Sequence, residues 1–419
     1  MLKKYKIHDN LNLLYYPTKK FKSFIIKICF FVPFDNKKIT VRNLFKDVLM
    51  YENGAYDHFE ILRERKKLYN IGFRLSSAQI NNTYRYILTI KGTNPKYFED
   101  EYYSISNILK YVLNFIFKPK LENGIFNNDI YELCLNRYKN DLKNMLQDKG
   151  YLIAYENTKL LRKRDNNNYF AEGYLEDFDD ITNEEVYKQY LELLNSKILI
   201  SAAGDLNVKE LTRELNKYFY NFKEYTKKLE VKPTKYQKLK NKVIKLNTDQ
   251  ACLYMTFATE VKQFDENYFN YLIFSILLGE DTSSKLFRVI REEYGFSYDV
   301  YSYTEAPSGL LYVYMGLDYK NVKKAKELVF KQIEEIKEGK FSLTQLKMLI
   351  NNNYDEVKVL YDNLTNTIVR ESNLHLFGRN PSLKTLKESL NKVSKESIME
   401  FAKKVKPISI ITVKPKGDN

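Results

Sequence analysis

Cysteine is scarce in this sequence, and its placement excludes two kinds of site. The 419 residues include three cysteines, Cys29, Cys134 and Cys252, which lie far apart within apolar runs. An odd number of widely separated thiols favours neither a disulfide framework nor a paired-cysteine metal site. We therefore expect a protein of a reducing compartment, the cytoplasm.

Long hydrophobic runs are also missing. The most apolar stretches, SFIIKICFFV (23–32) and YLIFSILL (271–278), are interrupted by lysine or are too short to span a bilayer. Residues 1–16 contain no apolar segment of the kind found in secretion signals. These absences predict a soluble chain without a membrane partner.

Charge of both signs is abundant, with Lys+Arg 68 and Asp+Glu 53 giving a formal net charge of +15. The lysines recur beside acidic residues on helix faces, as in residues 321–340, which is typical of a solvated face with i,i+4 pairing. We therefore expect no nucleic-acid partner. The excess charge is compatible with a preference for acidic peptides and with a merely lysine-rich surface, and the sequence leaves both open.

The chain consists of two similar halves, each with strand-like and helical segments in the same order. The first half carries these segments at 22–35, 41–54, 59–77 and 83–117, and the second half carries them at 250–265, 267–280, 284–302 and 310–336. Each half ends with a helix and a strand, at 180–205 and 392–418, with Thr182 and Ser394 as predicted N-caps.

A basic segment without a long apolar period separates the halves and contains the helix-stopping Pro233. We therefore predict an N-terminal domain at 1–221, a linker at 222–242 and a C-terminal domain at 243–419. The strands and helices of the two halves predict two similar α+β domains.

The segment GEDTSSKLFRVIREEYGFSYDVYSY (279–303) carries a resemblance to a known family. It is similar to the Gly-rich, Ser-Ser-Arg-Leu-Phe, Arg…Gly…Tyr segment of the insulinase/pitrilysin superfamily of zinc peptidases. The positions that match are Gly279, Ser283, Ser284, Leu286, Phe287, Arg291, Gly295 and Tyr298. Weaker matches follow in the family's order at 170–182, 202–207 and 341–352, where Ser342 and Gln345 form a predicted capping box.

The order of segments more closely resembles the bacterial two-chain members related to mitochondrial processing peptidase. The resemblance covers nearly the whole chain. It implies an α+β fold of two similar tandem α/β-sandwich domains, each with a mixed, mostly antiparallel sheet packed by helices, in a clam-shell arrangement. The turn LLGEDTSS (277–284) is poorer in glycine than in many family members.

The metal motif of this family is degenerate here. Active members hold zinc with an HxxEH motif on the first long helix, where two histidines one turn apart bind the ion and the glutamate acts as general base. Asn43, Lys46 and Asp47 occupy these positions, and the region of the third ligand offers Asp141. Asparagine is a poor zinc ligand, and an ammonium opposes a dication.

The three histidines, His8, His58 and His375, lie elsewhere in the sequence. We therefore predict no metal and no cofactor in this chain. A peptidase site built from Asp47, Asp141 and Glu52 is a remaining alternative, which is disfavoured because carboxylates alone prefer hard cations over zinc.

Arg291 and Tyr298 stand seven residues apart, as does the substrate clamp of the family's second domain. In the family, these two side chains face the scissile carbonyl. A guanidinium and a phenol are fixed donors that stabilise the negative charge developing on that oxygen while zinc-bound water attacks. Ser283 and Ser284 could bind the peptide as well, or could serve as core-facing or capping residues.

Two-chain members divide these tasks between a zinc-bearing chain and a metal-free chain that carries the clamp. The resemblance therefore implies a non-catalytic subunit of a heterodimeric zinc peptidase. Its partner would be a homologous chain with HxxEH and zinc, and its substrate a peptide such as a leader peptide. The alternative is a metal-free scaffold or peptide-binding subunit of a larger assembly, in which internal contacts would consume Arg291 and Tyr298.

Overall fold

The computed structural model describes residues 2–80, 82–162, 168–380 and 382–416. The chain forms two compact units, and each unit contains a segment from the opposite half of the sequence. Unit 1 comprises Met1–Met145, Ala171–Glu230 and Leu360–Pro381, and unit 2 comprises Leu146–Phe170, Val231–Val359 and Ser382–Asn419. The domain limits that we predict from the repeat remain a prediction, because compactness groups segments by contact and does not locate the start of a repeat.

The described strands form two large sheets and one small hairpin. The strands are β1 (Lys3–His8), β2 (Leu11–Pro17), β3 (Ser23–Pro33), β4 (Gly72–Ile80), β5 (Thr83–Thr93), β6 (Leu121–Glu122), β7 (Ile125–Phe126), β8 (Lys197–Gly204), β9 (Lys240–Leu246), β10 (Ala251–Ala258), β11 (Asp299–Glu305), β12 (Leu310–Leu317) and β13 (Lys406–Pro415). Unit 1 contains the sheet β1-β2-β8-β3-β5-β4 and the β6-β7 hairpin, and unit 2 contains the sheet β11-β12-β10-β13-β9.

The two large sheets share one topology. In each sheet an antiparallel run (β8-β3-β5-β4 or β13-β10-β12-β11) ends in one parallel neighbour, because β2 pairs parallel with β8 and β9 pairs parallel with β13. Strand β1 is an addition to the first sheet. The predicted fold class of two similar α+β halves with mixed, mostly antiparallel sheets is confirmed.

Helices pack against both sheets. The α-helices are α1 (Ile39–Leu49), α2 (His58–Lys67), α3 (Ile105–Phe117), α4 (Asn128–Met145), α5 (Lys149–Arg162), α6 (Asn183–Leu194), α7 (Val208–Phe219), α8 (Tyr268–Ser275), α9 (Val322–Lys337), α10 (Leu343–Leu360), α11 (Leu364–Leu376), α12 (Leu383–Leu390) and α13 (Lys395–Ala402). Short 3₁₀ turns occupy Asn36–Lys38, Pro95–Tyr97, Leu175–Asp180 and Tyr319–Asn321, and π-helical segments occupy Ile276–Glu280 and Phe287–Glu293.

Burial on both faces explains the composition of the central strands. Every residue of β10 is buried, and β3 is buried from Phe24 to Val32, so both strands are near-continuous apolar runs. The edge strand β9 instead alternates between half-buried and exposed residues. The centre of each sheet is therefore the centre of each core.

Each half of the sequence contributes one helix to the unit that contains the sheet of the other half. Helix α5, from the first half of the sequence, packs Ile153 and Leu161 among residues of β10 and β13 in unit 2. Helix α11, from the second half, packs Leu364 and Ile368 against Ile25 of β3 and Ala203 of β8 in unit 1. Each sheet is thus covered on one face by a helix that the repeat assigns to the other half.

The predicted N-caps are largely confirmed. The Thr182 side chain accepts from the Glu185 amide, and Ser394 forms a capping box at the start of α13. Ser342 accepts from the Gln345 backbone amide, which is one of the two hydrogen bonds of the predicted capping box, and the Gln345 side-chain amide donates to the Ser283 carbonyl, 3.0 Å away. None of the helices in the described ranges is long and apolar enough to cross a membrane.

Candidate functional sites

Two π-helical segments form part of the region that carries the family resemblance. Ile276–Glu280 continues α8, and Phe287–Glu293 follows after a short turn. The π-helix is rare and wider than the α-helix, and it occurs frequently at functional sites. The structure therefore gives this stretch a backbone that hydrophobic periodicity did not predict.

The turn between the π-helical segments is anchored from several sides. Lys285 is buried and pairs with Glu335 of α9 at 2.8 Å. The β-carbon of any side chain at Gly279 would lie 2.9 Å from the Ser302 amide nitrogen, so only glycine allows the turn to approach β11 this closely. Ser284 is fully buried and its hydroxyl accepts from the Phe287 amide, whereas Ser283 is exposed.

The structure brings Arg291 and Tyr298 together. The Arg291 guanidinium carbon lies 5.7 Å from the centre of the Tyr298 ring and 4.7 Å from that of Phe287, and Nη1 donates to the Tyr298 carbonyl at 3.3 Å. Between them, Gly295 adopts φ +62, a left-handed conformation that lets the chain reverse into β11. Tyr298 is 86% exposed and Arg291 is exposed as well. Their donors are thus available to a ligand.

The degenerate metal motif lines a cavity of about 470 Å³ in unit 1. Helix α1 buries Val41, Leu44, Phe45 and Val48, so residues at 43, 46, 47 and 50 share the opposite, cavity-facing stripe. The lining consists of Asn43, Lys46, Asp47, Met50, Arg65, Phe73, Arg74, Leu75, Tyr138, Asp141, Leu142, Met145 and Glu172.

Asn43 is committed to structural hydrogen bonds. Its amide donates to the Tyr138 hydroxyl at 3.2 Å and to the Ala171 carbonyl at 2.8 Å. The Tyr138 hydroxyl in turn donates to the Glu172 carbonyl at 2.5 Å. Asn43 therefore ties α1 to α4 and to the segment at 171–172.

Inside the cavity, the pKa values of Lys46 and Asp47 are shifted by burial, and each side chain opposes the shift of the other. Burial lowers the pKa of Lys46, and the carboxylates of Asp47 and Glu172 oppose this shift. Burial raises the pKa of Asp47, against the attraction of Arg137 and Lys46. The Lys46 ammonium also donates to the Ser77 hydroxyl at 2.8 Å.

These residues do not fit a zinc ion. The ammonium of Lys46 occupies the stripe that would face the metal, and Asn43 has its amide engaged elsewhere. Glu52 does not line the cavity, since its carboxylate pairs with Lys120 at 2.6 Å. In the part of the chain that the structure describes, no group of three or more His, Cys, Asp or Glu side chains could hold a metal.

Sequence analysis missed several residues of these two sites. Tyr138 and Glu172 join the cavity from α4 and from the loop before the 3₁₀ turn, and Arg65 and Arg74 join it from α2 and β4. Lys285 replaces the arginine of the family segment, and its burial against α9 could not be anticipated from spacing. The one available signal was that Lys285 lies within the matched segment.

Comparison with known proteins identifies similar sequences and folds. Residues 180–353 match the family model described as Peptidase M16 inactive domain. The resemblance to the insulinase superfamily is confirmed. This M16-like chain is 25% identical over 356 residues to the "Probable inactive metalloprotease YmfF" of Bacillus subtilis strain 168, with 82% of each chain covered.

Solved structures share the M16-like fold across the whole chain. A conserved protein from Enterococcus faecalis V583 matches with a TM-score of 0.89 and 19% identity, covering 100% of this chain and 99% of that one. A peptidase M16 inactive domain from Pseudomonas fluorescens matches with a TM-score of 0.77 and 14% identity, covering 99% and 98%. The matched family model and the Bacillus relative are both described as inactive. In this chain, Asn43, Lys46 and Asp47 stand at the positions where the zinc motif would lie.

Proposed function

We propose that this chain is the non-catalytic subunit of a heterodimeric zinc peptidase. Its partner is a homologous chain that carries HxxEH and the zinc ion, and both act in the cytoplasm on a peptide substrate such as a leader peptide. Arg291 and Tyr298 contact the scissile carbonyl, and Ser283 adds a hydroxyl near the peptide. The observation that carries the proposal is the exposed Arg291–Tyr298 pair in a chain whose metal motif is filled by Lys46.

The exposure of the clamp favours this function over a scaffold. A scaffold needs no substrate clamp, and its Arg and Tyr side chains would be consumed by internal contacts. Among the described residues, Arg291 makes one hydrogen bond, to the Tyr298 backbone carbonyl, and its guanidinium lies over the rings of Phe287 and Tyr298, while Tyr298 is 86% exposed. Resting on rings holds the guanidinium in place and leaves its remaining N–H groups available as donors.

The role of the clamp is electrostatic. A guanidinium and a phenol placed at a developing oxyanion stabilise the transition state more than the ground state, which raises kcat. The zinc and the attacking water belong to the partner in this proposal. The buried Ser284, whose hydroxyl already accepts from Phe287, is left out of the substrate contacts.

The test is cleavage by the reconstituted pair. We expect Arg291→Ala to lower kcat about 100-fold, because one oxyanion donor is worth roughly that factor. Tyr298→Phe, which removes only the hydroxyl, should lower kcat about ten-fold or more. The matched control is Arg288→Ala, an exposed arginine one turn earlier that pairs with Glu293 at 3.6 Å. Unchanged cleavage by Arg291→Ala, with the pair still associated, would show that this chain acts as a scaffold.

A further inference from the structure

Five tyrosines cover one face of the β10–β12–β11 end of the sheet in unit 2. We call this surface the tyrosine shelf, and it consists of Tyr254, Tyr301, Tyr303, Tyr312 and Tyr314. Antiparallel register places Tyr301 opposite Tyr314 and Tyr303 opposite Tyr312, and Tyr314 is also opposite Tyr254. The period of two along each strand therefore collects all five rings on one face.

The five rings contact one another. Tyr303 and Tyr312 are stacked with centroids 4.8 Å apart, and Tyr254 and Tyr312 are stacked at 5.5 Å. Tyr301 is tilted against Tyr314 at 5.2 Å and against Tyr303 at 6.0 Å. The hydroxyls of Tyr254 and Tyr303 are joined by a hydrogen bond of 2.8 Å.

Part of this face is covered and part is open. The exchanged helix α5 covers the side near β13, where Ile153 and Leu161 pack. At the β11 end, Tyr301 remains 40% exposed and Tyr303 37% exposed. Strand β11 is the edge strand of the sheet, and it begins at the residue after Tyr298.

The electrostatic surroundings of the shelf are acidic, although the chain as a whole has a net charge of +15. The charged groups that act on these phenols and on the adjacent Cys252 are Asp148, Asp299, Glu305 and one cation, Lys149. Burial raises the pKa of Tyr303 to about 12, and burial and Asp299 raise that of Tyr301, so both rings are neutral at physiological pH. Within the described residues, no lysine or arginine of the chain lies over these rings.

We propose that the tyrosine shelf binds an arginine or lysine side chain of the peptide substrate. Neutral phenol rings present a negative π-face to a cation, and flanking carboxylates add to this attraction. A peptide held at Arg291 and Tyr298 reaches the shelf by running along β11, since Tyr301 is three residues beyond Tyr298. The inference rests on the proposed function for the identity of the ligand as a substrate, and it names a cationic residue as part of the recognised sequence.

The test uses this full-length chain alone, without a partner. The probes are two nine-residue peptides of alanine and serine, acetylated and amidated at their ends, with a single central arginine or a single central citrulline. Citrulline has nearly the shape of arginine without its charge. We expect the arginine peptide to bind about ten-fold more tightly in a calorimetric titration, and raised salt to narrow this difference.

Variants of the shelf test separately how the ring, the hydroxyl and the nearby charge contribute to the preference for the arginine peptide. Tyr301→Leu should abolish most of the preference for arginine, whereas Tyr301→Phe should keep it because the ring face remains. Asp299→Asn should reduce the preference about three-fold, and the exposed Glu292→Gln serves as its control. Thermal melting of each variant verifies the fold, and Tyr301→Phe keeps the test valid if the leucine variant unfolds.

Two outcomes would overturn the proposal. Equal binding of the arginine and citrulline peptides would show that the shelf does not recognise a cation, and an undiminished preference in Tyr301→Leu would place the recognition elsewhere. Failure here is distinguishable from failure of the proposed function. Binding is measured without a partner, and Arg291→Ala should leave the arginine preference intact while it impairs cleavage by the pair.

Discussion

At the residue scale, Lys46 decides what the degenerate motif can do. Its amine lies in the cavity-facing stripe of α1 and donates to Ser77, with Asp47 and Glu172 as its nearest opposing charges. Burial favours the neutral amine, and these carboxylates favour the ammonium. The residue thus carries a desolvation cost at neutral pH that an apolar side chain of similar length would avoid.

We predict that Lys46→Met stabilises the chain at pH 7, because methionine avoids the cost of burying an ammonium group. Above the lowered folded-state pKa, the folded protein has lost this proton while the unfolded chain keeps it up to the ordinary value of 10.5. The unfolded state then binds more protons, so wild-type stability rises with pH in this window. The advantage of Lys46→Met should therefore be largest at neutral pH and shrink towards pH 10.5.

Urea unfolding of both proteins across this pH range measures the difference. The exposed Lys323→Met is the control for the loss of a lysine as such. An advantage that stays constant with pH would contradict the assignment of a buried, pKa-shifted Lys46.

Gly173 holds the loop over the same cavity. It adopts φ +82, and a β-carbon there would lie 2.7 Å from both the Tyr138 hydroxyl and the Thr40 hydroxyl. That tyrosine binds Asn43, so the approach of the loop and the hydrogen bonds of the degenerate motif depend on one another. No feature of the sequence around Gly173 reveals this contact.

We predict that Gly173→Ala destabilises the chain by about 3 kcal/mol, through backbone strain and a clash. Gly124→Ala is the matched control, since Gly124 has φ +83 but open space around its position. Gly124→Ala should lower the free energy of unfolding by about 1 kcal/mol, from backbone strain alone. Chemical denaturation measures the free energy of unfolding of both variants. Equal losses would show that the Tyr138 side chain moves away from the added methyl group at little cost.

At the element scale, the exchanged helices make each sheet depend on the other half of the sequence. Ile153 of α5 and Ile368 of α11 are both fully buried, each against the sheet of the unit to which its helix belongs by contact. Truncating either residue leaves a cavity in that unit's core.

We predict that Ile153→Ala and Ile368→Ala each lower the free energy of unfolding by about 3 kcal/mol. The first substitution should disturb the core of unit 2, and the second should disturb the core of unit 1. Hydrogen exchange should rise in β10 and β13 for Ile153→Ala, and in β3 and β8 for Ile368→Ala. The two variants are controls for each other. Increased exchange in the sheet of the helix's own sequence half would contradict the exchange of helices.

At the scale of the whole molecule, the two halves share a topology and differ in what they retain. The first sheet's unit keeps a cavity at the position of the metal motif, and the second sheet's unit keeps the exposed Arg291–Tyr298 pair. Neither feature by itself completes a hydrolytic site, because Arg291 and Tyr298 offer donors to a substrate carbonyl, while the residues that line the described cavity do not fit zinc. This division is the reason for placing the zinc in a partner.

We predict that this chain, purified from its own cells under native conditions, forms a complex of roughly twice its own mass with a homologous chain that carries HxxEH. Light scattering gives the mass, peptide mapping identifies the companion, and metal analysis should find zinc only with that companion. A monomer or a homodimer would contradict the heterodimer and favour a scaffold or binding protein.

Much of this architecture could be predicted from the sequence because its signals are local. Apolar runs marked β3 and β10, the hydroxyls of Thr182 and Ser394 marked helix starts, and the repeated order of segments indicated two similar sheets. Side chains that act across elements were not predictable. The Gln345 side-chain amide donates to the turn at Ser283, and Lys285 pairs with Glu335 fifty residues later.

The sequence by itself determined which chemical groups are present: an Arg and a Tyr at the spacing of a clamp, and a lysine and an asparagine where zinc ligands would stand. Only the tertiary structure decided how they are used. It exposed Arg291 on a π-helical segment and Tyr298 directly before β11, and it buried Ser284. It also exchanged α5 and α11 and gathered five tyrosines from three strands onto one sheet face. The physical reason is that composition and spacing act along the chain, whereas burial, strand register and electrostatic neighbours arise between segments that are distant in sequence.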